Sequence, residues 1–136
     1  MPMGDRSEDW LRPAEADLKH AELSQREGHY EWSCFAAQQA AEKGIKALYM
    51  SLHGDAWGHS LLALLRSLPQ AFTAAVGPEI LDAARALDKL YIPTRYPNGF
   101  DMGAPADYFT ERDARESVAY AESILTFCRA RLSRPE

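Results

Sequence analysis

A chain of 136 residues, 46% hydrophobic and 26% charged, is long enough for one domain with a real core and too apolar to be disordered. Its formal net charge of −5 argues against a protein that coats nucleic acid nonspecifically, yet leaves room for a local basic site. No apolar run approaches the roughly 20 residues needed to cross a bilayer. The polar, acidic start MPMGDRSEDW also lacks the apolar core of a signal peptide, so a cytoplasmic protein with no membrane partner is expected.

Leu11, Ala14, Leu18 and Ala21 recur at helical spacing and predict a first helix from the neighbourhood of Glu8 or Asp9 to Glu27. Its start is blurred by Pro13, which a helix tolerates only in its first turn. Gly28 supplies a stop, and the next helix follows so soon that the pair must form an antiparallel hairpin.

The stretch Trp32–Leu52 reads as one long helix with two working faces. Cys34, Ala37, Ala41, Ile45, Leu48 and Leu52 form a stripe to be buried against other helices. At about 100° per residue, Trp32, Phe35, Gln39, Lys43, Lys46 and Met50 fall on the opposite side, free to meet a partner or ligand. Glu42 and Lys46 stand at i and i+4 with the acid first, an order that supports a helix by about 0.2–0.5 kcal/mol. Gly44 costs about 1 kcal/mol relative to alanine, and its small size would admit a close neighbour.

His53–Gly58 is a turn by composition, and His59 and Ser60 open a third helical segment with Leu61, Leu65 and Leu68 inward and Ser60 as its cap. Pro69 ends or bends it, Gln70–Val76 adds a helical turn, and Gly77-Pro78 is a break. Ile80, Ala84, Leu87 and Tyr91 mark the next helix, which Pro93 terminates. Pro93–Phe109 has no sustained period and reads as a long loop, a feature that is often functional in a compact domain. Thr110 and Asp113 then resemble a capping box, and Ala114, Val118, Ala121, Leu125, Cys128 and Leu132 give the last helix its stripe. Arg129, Arg131 and Arg134 suit the negative pole at its end.

No segment alternates as a half-buried strand would. The expected fold is therefore a single all-α domain over residues 1–136, an up-and-down four-helix bundle with an additional short helix packed against it. Cys34 and Cys128 both fall within apolar helical patterns and are expected to be reduced, buried thiols.

Three blocks carry a family resemblance: QQAAEKGIKAL at Gln38–Leu48, HSLLALL at His59–Leu65 and LDKLYIPTRYPNG at Leu87–Gly99. In this order and spacing they resemble the HEPN family, the nucleotide-binding domain of higher eukaryotes and prokaryotes, in a branch with Tyr-x-x-x-Arg-Tyr-Pro. The resemblance implies a helical bundle that forms a homodimer. It also implies association with a minimal nucleotidyltransferase in a toxin–antitoxin-type pair and, in some branches, a metal-independent ribonuclease toxin. Those toxin branches place a His four to six residues after an Arg. Here all four histidines, His20, His29, His53 and His59, precede Arg95.

Cleaving RNA without metal requires a group to take the 2′-hydroxyl proton and another to stabilise charge on phosphorus. Arg95 can supply the charge through a guanidinium that grips phosphate in bidentate fashion, and only His59, brought near by folding, would supply the proton transfer. Lys43, His59, Tyr91, Arg95 and Tyr96 are the candidate nucleotide-binding residues. Each has a plainer reading: Arg95 pairs with an acid such as Asp88, the tyrosines only pack, His59 only starts a helix, and Lys43 and Lys46 are solvated charges. No Gly-rich phosphate loop, Cys-x-x-Cys or His-Glu-x-x-His is present, so no cofactor or metal is asked for. Three functions are compatible with this pattern. One is a nucleotide- or partner-binding module, one a ribonuclease using Arg95 and His59, and one a scaffold whose Trp32/Phe35/Met50 face is a dimer seam.

Overall fold

In the computed structural model, which describes residues 5–132, two long helices meet at Gly28. Helix α1 spans Ser7–Arg26 and α2 spans Tyr30–Ser51. Gly28 adopts a φ of +82°, the left-handed conformation that glycine takes without a steric cost. The N–H of His29 then reaches back to the Ser24 carbonyl at 2.8 Å, closing the end of α1 with a Schellman-type bond. The hairpin is sealed by Ala14, Leu18 and Ala21 of α1, and by the Ser33 hydroxyl, which donates to the Ala21 carbonyl at 2.6 Å. Pro13 lies inside α1 rather than in its first turn. It offers no N–H to the turn before it, but the helix runs through, so the start is at Ser7.

The apolar stripe of α2 is buried as its spacing predicts: Cys34, Ala37, Ala41, Ile45 and Leu48 are fully enclosed. Leu52 departs from it, because the helix ends at Ser51 and Leu52, now a cap residue, is 40% exposed. Helix α6, Glu111–Leu132, crosses α2 at Gly44. A Cβ on Gly44 would collide with the Leu125 side chain, so the small residue admits α6. The start of α6 is capped reciprocally: the Thr110 N–H donates to Asp113 at 2.9 Å and the Asp113 N–H to the Thr110 hydroxyl at 3.2 Å. Near its end Arg129 pairs with Glu15 of α1 at 3.1 Å; Arg134 lies outside the described residues.

Between α2 and α6 come two short helices, α3 (Leu61–Arg66) and α4 (Gln70–Thr73), and the longer α5 (Pro78–Asp88). Leu61, Leu65 and Leu68 point inward as expected, and Ser60 caps α3 by accepting the Ala63 N–H at 3.2 Å. Helix α5 stops at Asp88, three residues before Tyr91. Pro93 has no N–H for the Lys89 carbonyl and its ring would crowd that carbonyl, so the chain passes into successive turns over residues 89–95. Tyr91 therefore sits in a turn, not on the helix. The loop from Pro93 to Phe109 is also more ordered than its sequence suggests. It contains 3-10 turns at Pro97–Gly99 and Pro105–Asp107, and Phe100 stacks on Tyr108 with centroids 4.1 Å apart.

The result is an all-α bundle of α1, α2, α5 and α6, with α3 and α4 packed beside it and no strand among the described residues. No helix among those residues is long and apolar enough to cross a membrane.

Candidate functional site

The side chains of one polar row on α2 and two stretches distant in sequence converge at one end of α3. Glu42, on α2, has a side chain only 6% exposed, yet it meets the polar atoms of three side chains. Lys46 Nζ lies 2.9 Å from Oε2, Gln38 Nε2 3.2 Å from Oε1, and His59 Nδ1 3.1 Å from both oxygens. Gln38 is itself fully buried and also donates to the His59 backbone carbonyl at 3.3 Å. Gln39 in turn donates to Gln38 Oε1 at 2.7 Å. A buried carboxylate is costly unless paired and hydrogen-bonded, and this one is both.

His59 is held from a second direction. The carboxylate of Asp88, at the end of α5, accepts the N–H groups of Leu61 at 2.7 Å and Leu62 at 3.1 Å, and the Ser60 hydroxyl at 3.1 Å. These are free N–H groups of the first turn of α3, so Asp88 caps a helix far from it in sequence and fixes Ser60, the neighbour of His59. The His59 ring then stacks on Tyr91, centroids 4.5 Å apart and planes 19° from parallel.

Tyr91 also meets Arg95. The Arg95 guanidinium carbon lies 4.4 Å from the Tyr91 ring centre, 4.6 Å from that of Phe35 and 4.9 Å from that of Tyr96. Its Nε donates to the Tyr91 carbonyl at 3.0 Å. Thr94, buried, anchors the same turn by donating from its hydroxyl to the Leu90 carbonyl at 2.6 Å. Among the described residues no carboxylate pairs with Arg95; Asp88, the partner considered from sequence, is occupied with α3. A guanidinium enclosed by three aromatic faces keeps its charge and its remaining N–H groups for an anion. Tyr91 also borders a cleft of about 360 Å³, lined besides by His59, Ser60, Asp88, Lys89, Ile92 and Pro93. That volume is in the range of small-ligand sites.

Of the residues singled out from sequence, folding thus brings together His59, Tyr91, Arg95 and Tyr96. Lys43 is placed elsewhere. Its ammonium pairs with Asp17 of α1 at 2.6 Å and borders a separate depression with His20, Trp32, Phe35 and Gln39. Phe35 is shared between the two regions, bordering that depression and facing Arg95. Sequence reasoning does not single out Glu42 or Gln38 as part of a site. A signal is nonetheless present: Gln38 falls at the edge of the buried stripe of α2, where an amide needs partners. Phe35 and Asp88 stand out in the sequence for other reasons, and their place here depends on tertiary contacts.

No group of three or more His, Cys, Asp or Glu residues suited to a metal ion occurs among the described residues. The two cysteines take no part. Burial pushes the Cys34 thiol up to about 11 and the Cys128 thiol up to about 12, so both remain protonated.

Comparison with known proteins agrees with this architecture. The HEPN domain model matches residues 7–131. The crystal structure of TT1696 from Thermus thermophilus superposes with a TM-score of 0.89 at 44% identity, covering 93% of this chain and 98% of that one. ST0689, described as an archaeal HEPN homologue, gives a TM-score of 0.79 at 39% identity over 94% of this chain and 98% of its own. MJ1304 of Methanocaldococcus jannaschii, which carries the provisional name of a toxin, is 25% identical over 85% of this chain and 81% of its own. With the family model covering nearly the whole bundle, the chain belongs to the HEPN domain family.

Proposed function

We propose that this HEPN domain binds a nucleotide or a nucleotide of RNA at the cluster of His59, Tyr91, Arg95 and Tyr96. The observation that carries the reading is the state of Arg95: a half-buried guanidinium held over Phe35, Tyr91 and Tyr96, with no carboxylate against it among the described residues. Phosphate is an anion that a guanidinium can grip in bidentate fashion. The exposed Tyr96 offers an aromatic face, and the cleft bordered by Tyr91 offers apolar walls, for a base. Lys43, paired with Asp17, is not needed for first contact. The test is thermal stabilisation and calorimetry with a panel of nucleotides and short RNA. Binding by the parent and at least about a tenfold loss in Arg95→Ala supports the site; equal affinity in both removes Arg95 from it.

A second reading is favoured by His59. Its Nδ1 faces the Glu42 carboxylate, leaving Nε2 without a partner among the described residues, the arrangement of a general base. Arg95 contacts the same Tyr91 ring, so one residue joins a proton acceptor to a phosphate-stabilising cation, the two groups that metal-independent RNA cleavage needs. RNA cutting in excess EDTA by the parent, abolished in both Arg95→Ala and His59→Ala, would establish a ribonuclease. The toxin name of the M. jannaschii relative accords with action in a toxin–antitoxin-type pair, with a nucleotidyltransferase as the partner chain. Co-expression with such a partner and capture of the complex tests this. A homodimer is proposed through the α2 face around Trp32, which is 54% exposed and packs edge-on against Phe35. Trp32→Lys is expected to sediment as a monomer.

A further inference from the structure

The polar row Gln38–Glu42–Lys46 is buried at Gln38 and Glu42, where a helix seam asks for no polar group. Three leucines would fill a helix seam with fewer obligations, since every polar atom placed there must find a partner. What the row does accomplish is control of one imidazole. The Glu42 carboxylate, ionised and paired with Lys46, can only accept. Facing it at 3.1 Å from both oxygens, His59 Nδ1 must be the nitrogen that carries the proton. Lys46 holds the same carboxylate from the other side of the row, its Nζ 2.9 Å from Oε2. Gln38 ties the same carboxylate to the His59 backbone, which holds the two residues side by side.

From this geometry we infer that Glu42 is a positioning residue that holds His59 as the Nδ1–H tautomer, so that Nε2 meets the ligand as a hydrogen-bond acceptor. The site accordingly prefers ligands that present a hydroxyl donor there, ribonucleotides over the matching 2′-deoxyribonucleotides. The tautomer half stands on Glu42 and His59 alone; the ligand half rests on the nucleotide-binding reading above. Free histidine favours the opposite tautomer, with the proton on Nε2, so the lock leaves a spectroscopic mark.

The experiment has two arms on the full chain. In the first, nitrogen chemical shifts of the His59 ring are read by NMR in alkaline buffer for the parent and for Glu42→Gln. The parent is expected to show Nδ1–H and a lone pair on Nε2, and the variant, whose amide can accept or donate, to shift toward Nε2–H. A parent ring protonated on Nε2 overturns the inference without recourse to any variant. In the second arm, AMP, GMP, CMP and UMP are titrated against their 2′-deoxy counterparts. The parent should prefer at least one ribose form by about tenfold or more, and Glu42→Gln should narrow that to within about threefold. Equal affinity for both sugars in the parent overturns the ligand half. Failure of every nucleotide to bind instead overturns the nucleotide-binding reading and the ligand half with it, while the ring spectra still decide the role of Glu42.

Discussion

His59 and Tyr91 lie ring on ring at 4.5 Å, and Arg95 meets that same tyrosine at 4.4 Å, so one aromatic side chain joins the two groups on which the proposed nucleotide site rests. Tyr91→Ala removes both contacts at once. Loss of the stack and of the cation–π contact should destabilise the fold by about 1–2 kcal/mol and weaken nucleotide binding by about tenfold. Tyr91→Phe keeps the ring and should stay within about 0.5 kcal/mol of the parent, since the Tyr91 hydroxyl has no hydrogen-bond partner among the described residues. Urea unfolding combined with calorimetric titration of both variants checks this. An alanine variant that binds as the parent does would show that Tyr91 does not organise the site.

Asp88 makes a separate demand on the same region. Its carboxylate takes two N–H groups and one hydroxyl from the start of α3, and α3 begins just after His59 and Ser60. Asp88→Ala strips the remote cap and should cost about 1–3 kcal/mol. Asp88→Asn keeps an acceptor oxygen and should lose roughly half as much. Because the cap also fixes the backbone before α3, hydrogen exchange of the Leu61 and Leu62 amides should quicken in Asp88→Ala by more than global unfolding explains. Unchanged exchange at those two amides would dissociate Asp88 from the placing of His59.

Which of these features the sequence discloses depends on how far apart the interacting residues lie. The Gly28 stop, the Ser60 cap and the Thr110–Asp113 box are settled within a few residues, and each forms as read. The buried stripe of α2 follows from its period until the helix ends and releases Leu52. Periodicity carries the next helix to Tyr91 before Pro93 ends it, but the missing N–H of Pro93 acts one turn earlier and leaves Tyr91 in a turn, where it can face His59. The residue types at His59, Tyr91, Arg95 and Tyr96 point to phosphate and base chemistry, and folding gathers them. Lys43 looks equivalent by type, but Asp17, on another helix, pairs with it. Glu42 reads as one half of an ordinary i,i+4 pair because nothing local says that it is buried or that His59 stands opposite.

The thiols set the behaviour of the protein in alkali. Burial raises Cys34 to about 11 and Cys128 to about 12 from an ordinary value near 9, because an ionised thiolate has no solvent in the core. In the unfolded chain both ionise near the ordinary value. Their contribution to stability is therefore complete below about pH 9 and lost progressively as pH rises through the folded values. The fold should weaken in alkali, and replacing both by alanine should flatten that part of the profile while lowering stability near neutrality through lost packing. Below pH 9 alkylation of either thiol should require unfolding, so its rate should follow urea concentration. Fast stoichiometric labelling of the native protein would contradict the burial of both sulfurs.

Gly44 places α2 against α6, and its replacement sets two effects against each other. Alanine would favour the isolated helix by about 1 kcal/mol. In the bundle, however, its Cβ would enter the space of the fully buried Leu125 side chain. Overpacking of this kind costs about 1–3 kcal/mol, but the atom struck is the far end of a flexible side chain that can rotate in part. Gly44→Ala is thus expected to be destabilising by about 1 kcal/mol, the steric effect outweighing propensity. Leu125→Val alone should also destabilise, by about 1 kcal/mol, through the space it leaves. Combined, the two should be more stable than their sum, because the shorter side chain makes room for the new methyl. A double-mutant cycle by urea unfolding measures that coupling. Strict additivity would mean that the approach of α6 to α2 does not depend on the absence of a side chain at Gly44.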